Sequence, residues 1–178
     1  MATQETIGPG TQNDGDGMVN TSKRHAQSFV ASTDYSLTGC RIPFKRQGAG
    51  SPNAVVFNLR ACSNGAGTGP TGAVLATATV DLSAVSTSAF ENQTITFGTP
   101  YNVTSGNVYC VEWYPNADGI IDGLSTPSIY ANGEWWYSTD SGATWTNFSS
   151  AYDVYDMLIF GDVAGGTATF SNLLMMGA

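Results

Sequence analysis

The sequence predicts an all-β fold, a sandwich or barrel of roughly eight to ten short strands. Turn-forming clusters recur about every eight to twelve residues, as in Ser51-Pro52-Asn53, Gly98-Thr99-Pro100 and Ser105-Gly106-Asn107. Between them the pattern alternates, as where Val55, Phe57 and Leu59 interleave with Val56 and Asn58. Charged residues make up only 11% of the 178 positions and there are 21 glycines, a make-up that suits strands and loops better than helices. The length is that of one domain and is enough for a sizeable core.

Taken in order, residues 1–16 read as a flexible arm. Gly8-Pro9-Gly10 and Asn13-Asp14-Gly15-Asp16-Gly17 are turn chemistry without apolar periodicity. The second run faintly suggests an oxygen-ligand calcium loop, but it lacks the later carboxylate that completes one. Strands are expected at 26–31, 35–45 and 54–60, the last two forming a hairpin with one buried face. Residues 63–72 are loop, 73–82 a strand, and 83–89 the one place for a helical turn. Strands follow at 93–97, 101–103 and 108–114, the last of them central. A loop at 116–123 leads to an aromatic hairpin and then to a long apolar strand over 152–160.

The hairpin carries the most specific local signal. Ser138-Thr139-Asp140-Ser141-Gly142-Ala143-Thr144-Trp145 matches the Asp-box pattern Ser-x-Asp-x-Gly-x-Thr-Trp. Two aromatic-rich runs, 134–138 and 144–148, flank a tight turn. The Asp140 carboxylate can accept hydrogen bonds from turn N–H groups, and Gly142 can supply the positive φ of a sharp reversal. Thr144 and Trp145 then open the return strand, with the indole closing over the turn. Sialidase-type propellers repeat this motif from blade to blade. One copy in a chain too short for about six or seven blades rejects that fold.

The formal net charge is -8, and its distribution says more than its value. All six basic residues (Lys23, Arg24, Arg41, Lys45, Arg46, Arg60) precede position 61, and ten acidic residues follow it. Such a surface repels phosphates, so no nucleic-acid partner is expected, although a cation or a basic partner surface would suit it. No apolar run reaches the roughly eighteen residues of a membrane span, and the N-terminus lacks the basic and apolar regions of a secretory signal. Synthesis in a cytoplasm is therefore expected. Cys40, Cys62 and Cys110 are an odd number without a CxxC and are expected as free buried thiols; the alternative is a Cys40–Cys62 bridge.

A catalytic set is hard to assemble. His25 is the only histidine, and no Gly-x-Ser-x-Gly elbow accompanies it. One histidine and three dispersed cysteines do not make a zinc site, and no Gly-rich phosphate loop carries a lysine. No metal or cofactor is expected. Glu112, Glu134 and Asp156 are the carboxylates a glycosidase would need, but alternation along their strands puts them on solvated outer faces. Asp118 and Asp122, with Asp140 or Asp153, could frame a cation site, although loop turns explain them more simply. The aromatics are better candidates for ligand or interface contacts. Trp135 and Trp136 are consecutive on a strand, as are Trp113 and Tyr114, so one of each pair faces the core and the other faces away. With Tyr137 they could stack on a sugar ring or anchor a protein interface.

The order of segments resembles a family of jelly-roll β-sandwich domains found in tailed-phage structural proteins and bacterial surface proteins. The matching pieces run from Ala26-Gln27-Ser28-Phe29 and 37–45 through Ser51-Pro52, 55–61, Gly69-Pro70-Thr71-Gly72 and Leu75-Ala76. They continue through Ile95-Thr96-Phe97, Pro100-Tyr101, 108–113, 137–145 and Tyr152-Asp153 to Phe160. The resemblance implies a jelly-roll-like antiparallel sandwich over 17–162 and a binding or structural role, and it supplies no catalytic residue. The expected function is a non-enzymatic virion accessory protein, a capsid decoration or head-fibre type located in the virion and contacting capsid or tail proteins. The alternative is a carbohydrate-binding adhesion module that recognises surface glycans, with a glycan-degrading enzyme a distant third. Residues 163–178 form an apolar tail or an extra strand. Its Phe170, Leu173, Leu174, Met175 and Met176 are candidate assembly contacts in a homo-oligomer.

Overall fold

The structure is a computed structural model that describes residues 1–8, 11–13, 17–18, 21–46, 54–62, 69–116, 120–122, 124–126, 130–148 and 153–163. Of 11–13, 17–18, 120–122 and 124–126 it describes the backbone only. The fold is all-β. The strands are β1 (Ala2–Ile7), β2 (Thr11–Asn13), β3 (Gly17–Met18), β4 (Arg24–Val30) and β5 (Tyr35–Arg46). Then come β6 (Val55–Ala61), β7 (Val74–Val80), β8 (Glu91–Val103), β9 (Val108–Pro115), β10 (Ile120–Asp122) and β11 (Leu124–Thr126). The series ends with β12 (Trp135–Ser138), β13 (Thr146–Asn147), β14 (Asp153–Val154) and β15 (Met157–Val163). Eight of these have six or more residues and form the body of the fold.

Two antiparallel sheets face each other as a β-sandwich. One runs β13-β12-β4-β9-β6-β7; the other runs β1-β15-β5-β10-β3, with β8 on the far side of β5. A short set β14-β11-β2 forms a third ladder, whose Val154 is buried in the main core. Alternation drives the assembly, because each strand turns one row of side chains inward. Phe29, Phe57, Leu59, Val111, Trp113 and Trp135 from the first sheet meet Leu37, Cys40, Ile42, Phe44, Ile95 and Ile159 from the second. All twelve are fully buried.

Several expectations give way. β5 and β6 are not a hairpin: β5 pairs with β8, β10 and β15, while β6 pairs with β7 and β9 in the opposite sheet. The strands expected at 93–97 and 101–103 are one strand, β8, which stays on β5 through a register shift opposite Leu37/Gly39. Residues 83–89 are turns and bends rather than a helical turn. The long strand at 152–160 is broken where Asp156 takes a φ of 48°, and Arg41 pins its carboxylate at 2.6 Å.

The N-terminal arm is likewise a strand. Ala2–Ile7 pairs with β15, Ile7 is fully buried, and Gln4 Nε2 donates to the Gly161 carbonyl at 3.0 Å. Glu5 Oε1 accepts from the Ser32 N–H at 2.8 Å. β2 and β3 continue the segment against β11 and β10. Backbone pairing holds a stretch too polar to announce itself by periodicity.

Cys62, the residue after β6, and Cys110 of the neighbouring strand β9 form a disulfide, with Cα atoms 5.3 Å apart. Only Cys40 is free, and it is buried in the core. The expectation of three free thiols is therefore corrected, and so is the Cys40–Cys62 alternative. Cys40 points into the space between the sheets, while Cys62 and Cys110 lie toward the opposite face of the first sheet.

Candidate binding face

The outer face of the first sheet carries a dense polar group built on β4, β9 and β6. Ala26 lies opposite Glu112, and Glu112 lies opposite Asn58, on the adjacent strands β4, β9 and β6. Side chains two residues apart share a face, so Arg24, Glu112, Tyr114, Asn58 and Arg60 all project from the same side. Their sequence neighbours His25, Trp113, Phe57 and Leu59 project into the core.

Glu112 is the hub of this group. It is only 1% exposed. Its Oε1 accepts from Arg24 Nη1 at 2.7 Å, and its Oε2 accepts from Arg60 Nε at 2.5 Å and from Asn58 Nδ2 at 3.0 Å. The two arginine side chains are 19% and 22% exposed, and they form a lid over a carboxylate that would otherwise carry a heavy desolvation cost. Arg60 Nη1 also donates to the Gly72 carbonyl at 2.8 Å. Arg24 lies over the ring of Tyr114, with its Cζ 4.0 Å from the centroid, a cation–π contact. Glu112 faces away from the core, as alternation predicts, but it is not solvated: it is ion-paired twice and enclosed. Sequence reasoning missed the two partners because they lie 88 and 52 residues away along the chain.

The turn after β12 closes one side of this face. Ser138 Oγ donates to Asp140 Oδ1 at 2.8 Å and accepts from the Gly142 N–H at 2.9 Å. Asp140 accepts from the Thr144 N–H at 2.8 Å and from Thr144 Oγ1 at 2.6 Å. These bonds, those from Thr144 foremost, hold the Asp140 carboxyl down at about 2. Gly142 has a φ of 86°, and a side chain there would press on Arg24 Cδ. The turn therefore also packs Arg24 into place. Thr144 and Trp145 precede the return strand, which consists of Thr146–Asn147.

The sequence-predicted aromatics are placed differently from what a sugar platform requires. Trp113 and Trp135 are fully buried in the main core. Trp136 points the other way but is also fully buried, in a second small cluster with Ala26 and Cys110, against which Cys62 and Trp145 pack. Gly69 closes over this cluster with a φ of 51°; a Cβ there would lie 2.5 Å from Trp145 Cβ and 3.3 Å from Trp136 Cε3. Tyr114 and Tyr137 are half-buried. All three tryptophans singled out as ligand contacts are thus closed to a ligand.

The remaining candidates are absorbed by structure. His25 is fully buried between Trp135 and Trp113, with ring centroids 5.0 Å and 6.2 Å away. Glu134 accepts from Asn147 Nδ2 at 2.6 Å. Asp153 is fully buried, where it accepts from Gln27 Nε2 at 3.3 Å and from the Tyr130 N–H at 3.1 Å. It is a core polar contact rather than a cation ligand. Among the described residues no three His, Cys, Asp or Glu side chains cluster as a metal site. Asp118, the side chain of Asp122, and Phe170, Leu173, Leu174, Met175 and Met176 lie outside the described residues. A separate open recess of about 630 Å³, lined by Leu75, Tyr101, Tyr109 and Cys62 among others, carries no charged side chain.

No protein-family model matches the chain, and no curated protein is significantly similar to it. What the fold defines is an antiparallel β-sandwich. An ion-paired carboxylate, Glu112, sits at the centre of a dense polar constellation on an outer face.

Proposed function

We propose that the chain is a non-enzymatic structural accessory protein of a virion, of the capsid-decoration or head-fibre kind, with a jelly-roll-type sandwich attached to a larger particle. The observation that carries this reading is the pairing of the first and last described strands. Ala2 lies opposite Gly161, so the start of β1 and the end of β15 lie side by side. The apolar residues that follow in the sequence (Phe170, Leu173, Leu174, Met175, Met176) suit attachment to neighbouring copies or to a shell.

The Cys62–Cys110 bridge supports the same reading, because disulfides persist on surfaces outside the reducing cytoplasm, virion surfaces among them. In this account the bridge closes after release from the cell. The test is the protein content of purified particles from the virus that encodes the chain. Multiple copies per particle, removable without loss of the genome, are the expected result. Absence of the chain from intact particles overturns the proposal.

A further inference from the structure

We propose that the outer face of the first sheet, around Arg24, Arg60 and Tyr114, is a binding site for an acidic saccharide. This site is independent of the virion reading and stands or falls separately from it. The argument begins with charge. Two guanidiniums share a single carboxylate, so these three side chains keep one net positive charge in a protein whose formal charge is -8, with Asp140 of the adjoining turn engaged by Ser138 and Thr144. Arg60 is also the last basic residue of the sequence. Arg24 and Arg60 hold the two oxygens of one carboxylate from the strands on either side of β9, and each side chain keeps about a fifth of its surface exposed. A pair of guanidiniums in that arrangement can take both oxygens of an incoming carboxylate or sulfate.

The surroundings favour a sugar as the carrier of that anion. Tyr114 is half-buried with Arg24 over one face of its ring, and a partly exposed amphipathic ring of this kind can meet the apolar face of a pyranose. Asn58 is paired across the sheet with Thr77, and Val56 with Thr79, which puts two exposed threonine hydroxyls on the same side. Hydroxyl, guanidinium and ring together make a surface suited to a hydroxylated, anionic ligand. An acidic protein segment fits less well, since interface cores need exposed apolar anchors. Of the large apolar residues exposed among the described ones (Met1, Val74, Phe148, Val163), Val74 alone stands on this face.

The rigid frame adds to the case. Glu112, the turn around Gly142 and the Gly72 carbonyl fix both arginines in place, so little side-chain entropy remains to be lost when an anion binds.

The test is titration of the full chain with a panel of acidic oligosaccharides (galacturonate, glucuronate-containing, mannuronate and sialylated), read by calorimetry and by amide chemical shifts. At least one is expected to bind, with shifts concentrated on β4, β6 and β9, and its methyl ester at least tenfold more weakly. Arg60→Lys keeps a positive charge beside Glu112 and is expected to weaken binding at least fivefold with the melting temperature little changed. Tyr114→Ser should weaken the saccharide more than it weakens any binding of free sulfate. The proposal is overturned if no acidic saccharide binds, if the ester binds as well as the acid, or if the shifts fall elsewhere. It is equally overturned if sulfate alone binds as tightly as the saccharide, or if a polyglutamate peptide occupies the face while every saccharide fails.

Discussion

Arg24 and Glu112, 88 positions apart in the chain, meet at 2.7 Å on the outer face of the first sheet. The same guanidinium stacks on Tyr114 and lies beneath Gly142, so one side chain couples the central strand β9 to the turn after β12. Removing the carboxylate leaves two partly enclosed cations facing each other. Glu112→Gln is therefore expected to destabilise the fold by about 3 kcal/mol, the lower end of the range for breaking a buried pair, since both arginines retain some solvent. Denaturant unfolding measures it, and a midpoint equal to the parent's would show that Glu112 contributes no such support.

The Asp140 turn carries a pH signature. Its carboxyl is held at about 2, below the ordinary value of 3.8, by bonds from Thr144 and Ser138. A folded-state value below the unfolded one means that the stabilisation is fully present above about pH 4 and is lost as pH falls toward 2. Asp140→Asn should therefore lower the melting temperature at neutral pH and flatten the acid limb of the stability curve. Parallel acid limbs for variant and parent would show that the carboxylate is not bonded as described. Asp140 is exposed, so the effect should be modest.

Cysteine chemistry gives a sharp count. Unreduced protein released from the cell, alkylated under denaturing conditions, should show one labelled residue, Cys40, and one Cys62–Cys110 cross-link. Under native conditions Cys40 should resist labelling, because burial pushes its thiol well above the ordinary range. Reduction should cost about 2–4 kcal/mol, the usual worth of such a bridge. Three labelled cysteines in released protein would contradict the bridge.

The elements that could be read from the sequence are those whose cause is local. The Ser138–Trp145 turn declares itself through adjacent side chains that bond one another, and β4, β6 and β9 declare themselves through alternation. Alternation does not say which sheet a strand joins, because both sheets of a sandwich turn the same apolar row inward. That is why β5 and β6 looked like a hairpin. β1 was hidden because its sequence, Ala-Thr-Gln-Glu-Thr-Ile, buries only Glu5 and Ile7 and owes its place to backbone pairing. The burial of Trp136 depends on Gly69, and the enclosure of Glu112 depends on Arg24 and Arg60. Each is a meeting of distant segments that spacing does not encode. In the candidate site, residue types were legible and partnerships were not.

The central claim, that the body is a self-sufficient sandwich joined to its assembly through the C-terminal segment, is tested most directly by deleting residues 167–178 and measuring sedimentation. The deleted chain should remain folded, with the parent's circular dichroism and cooperative melting, and should sediment as a smaller species than the full chain. An unchanged oligomeric state, or loss of the folded sandwich, would contradict it.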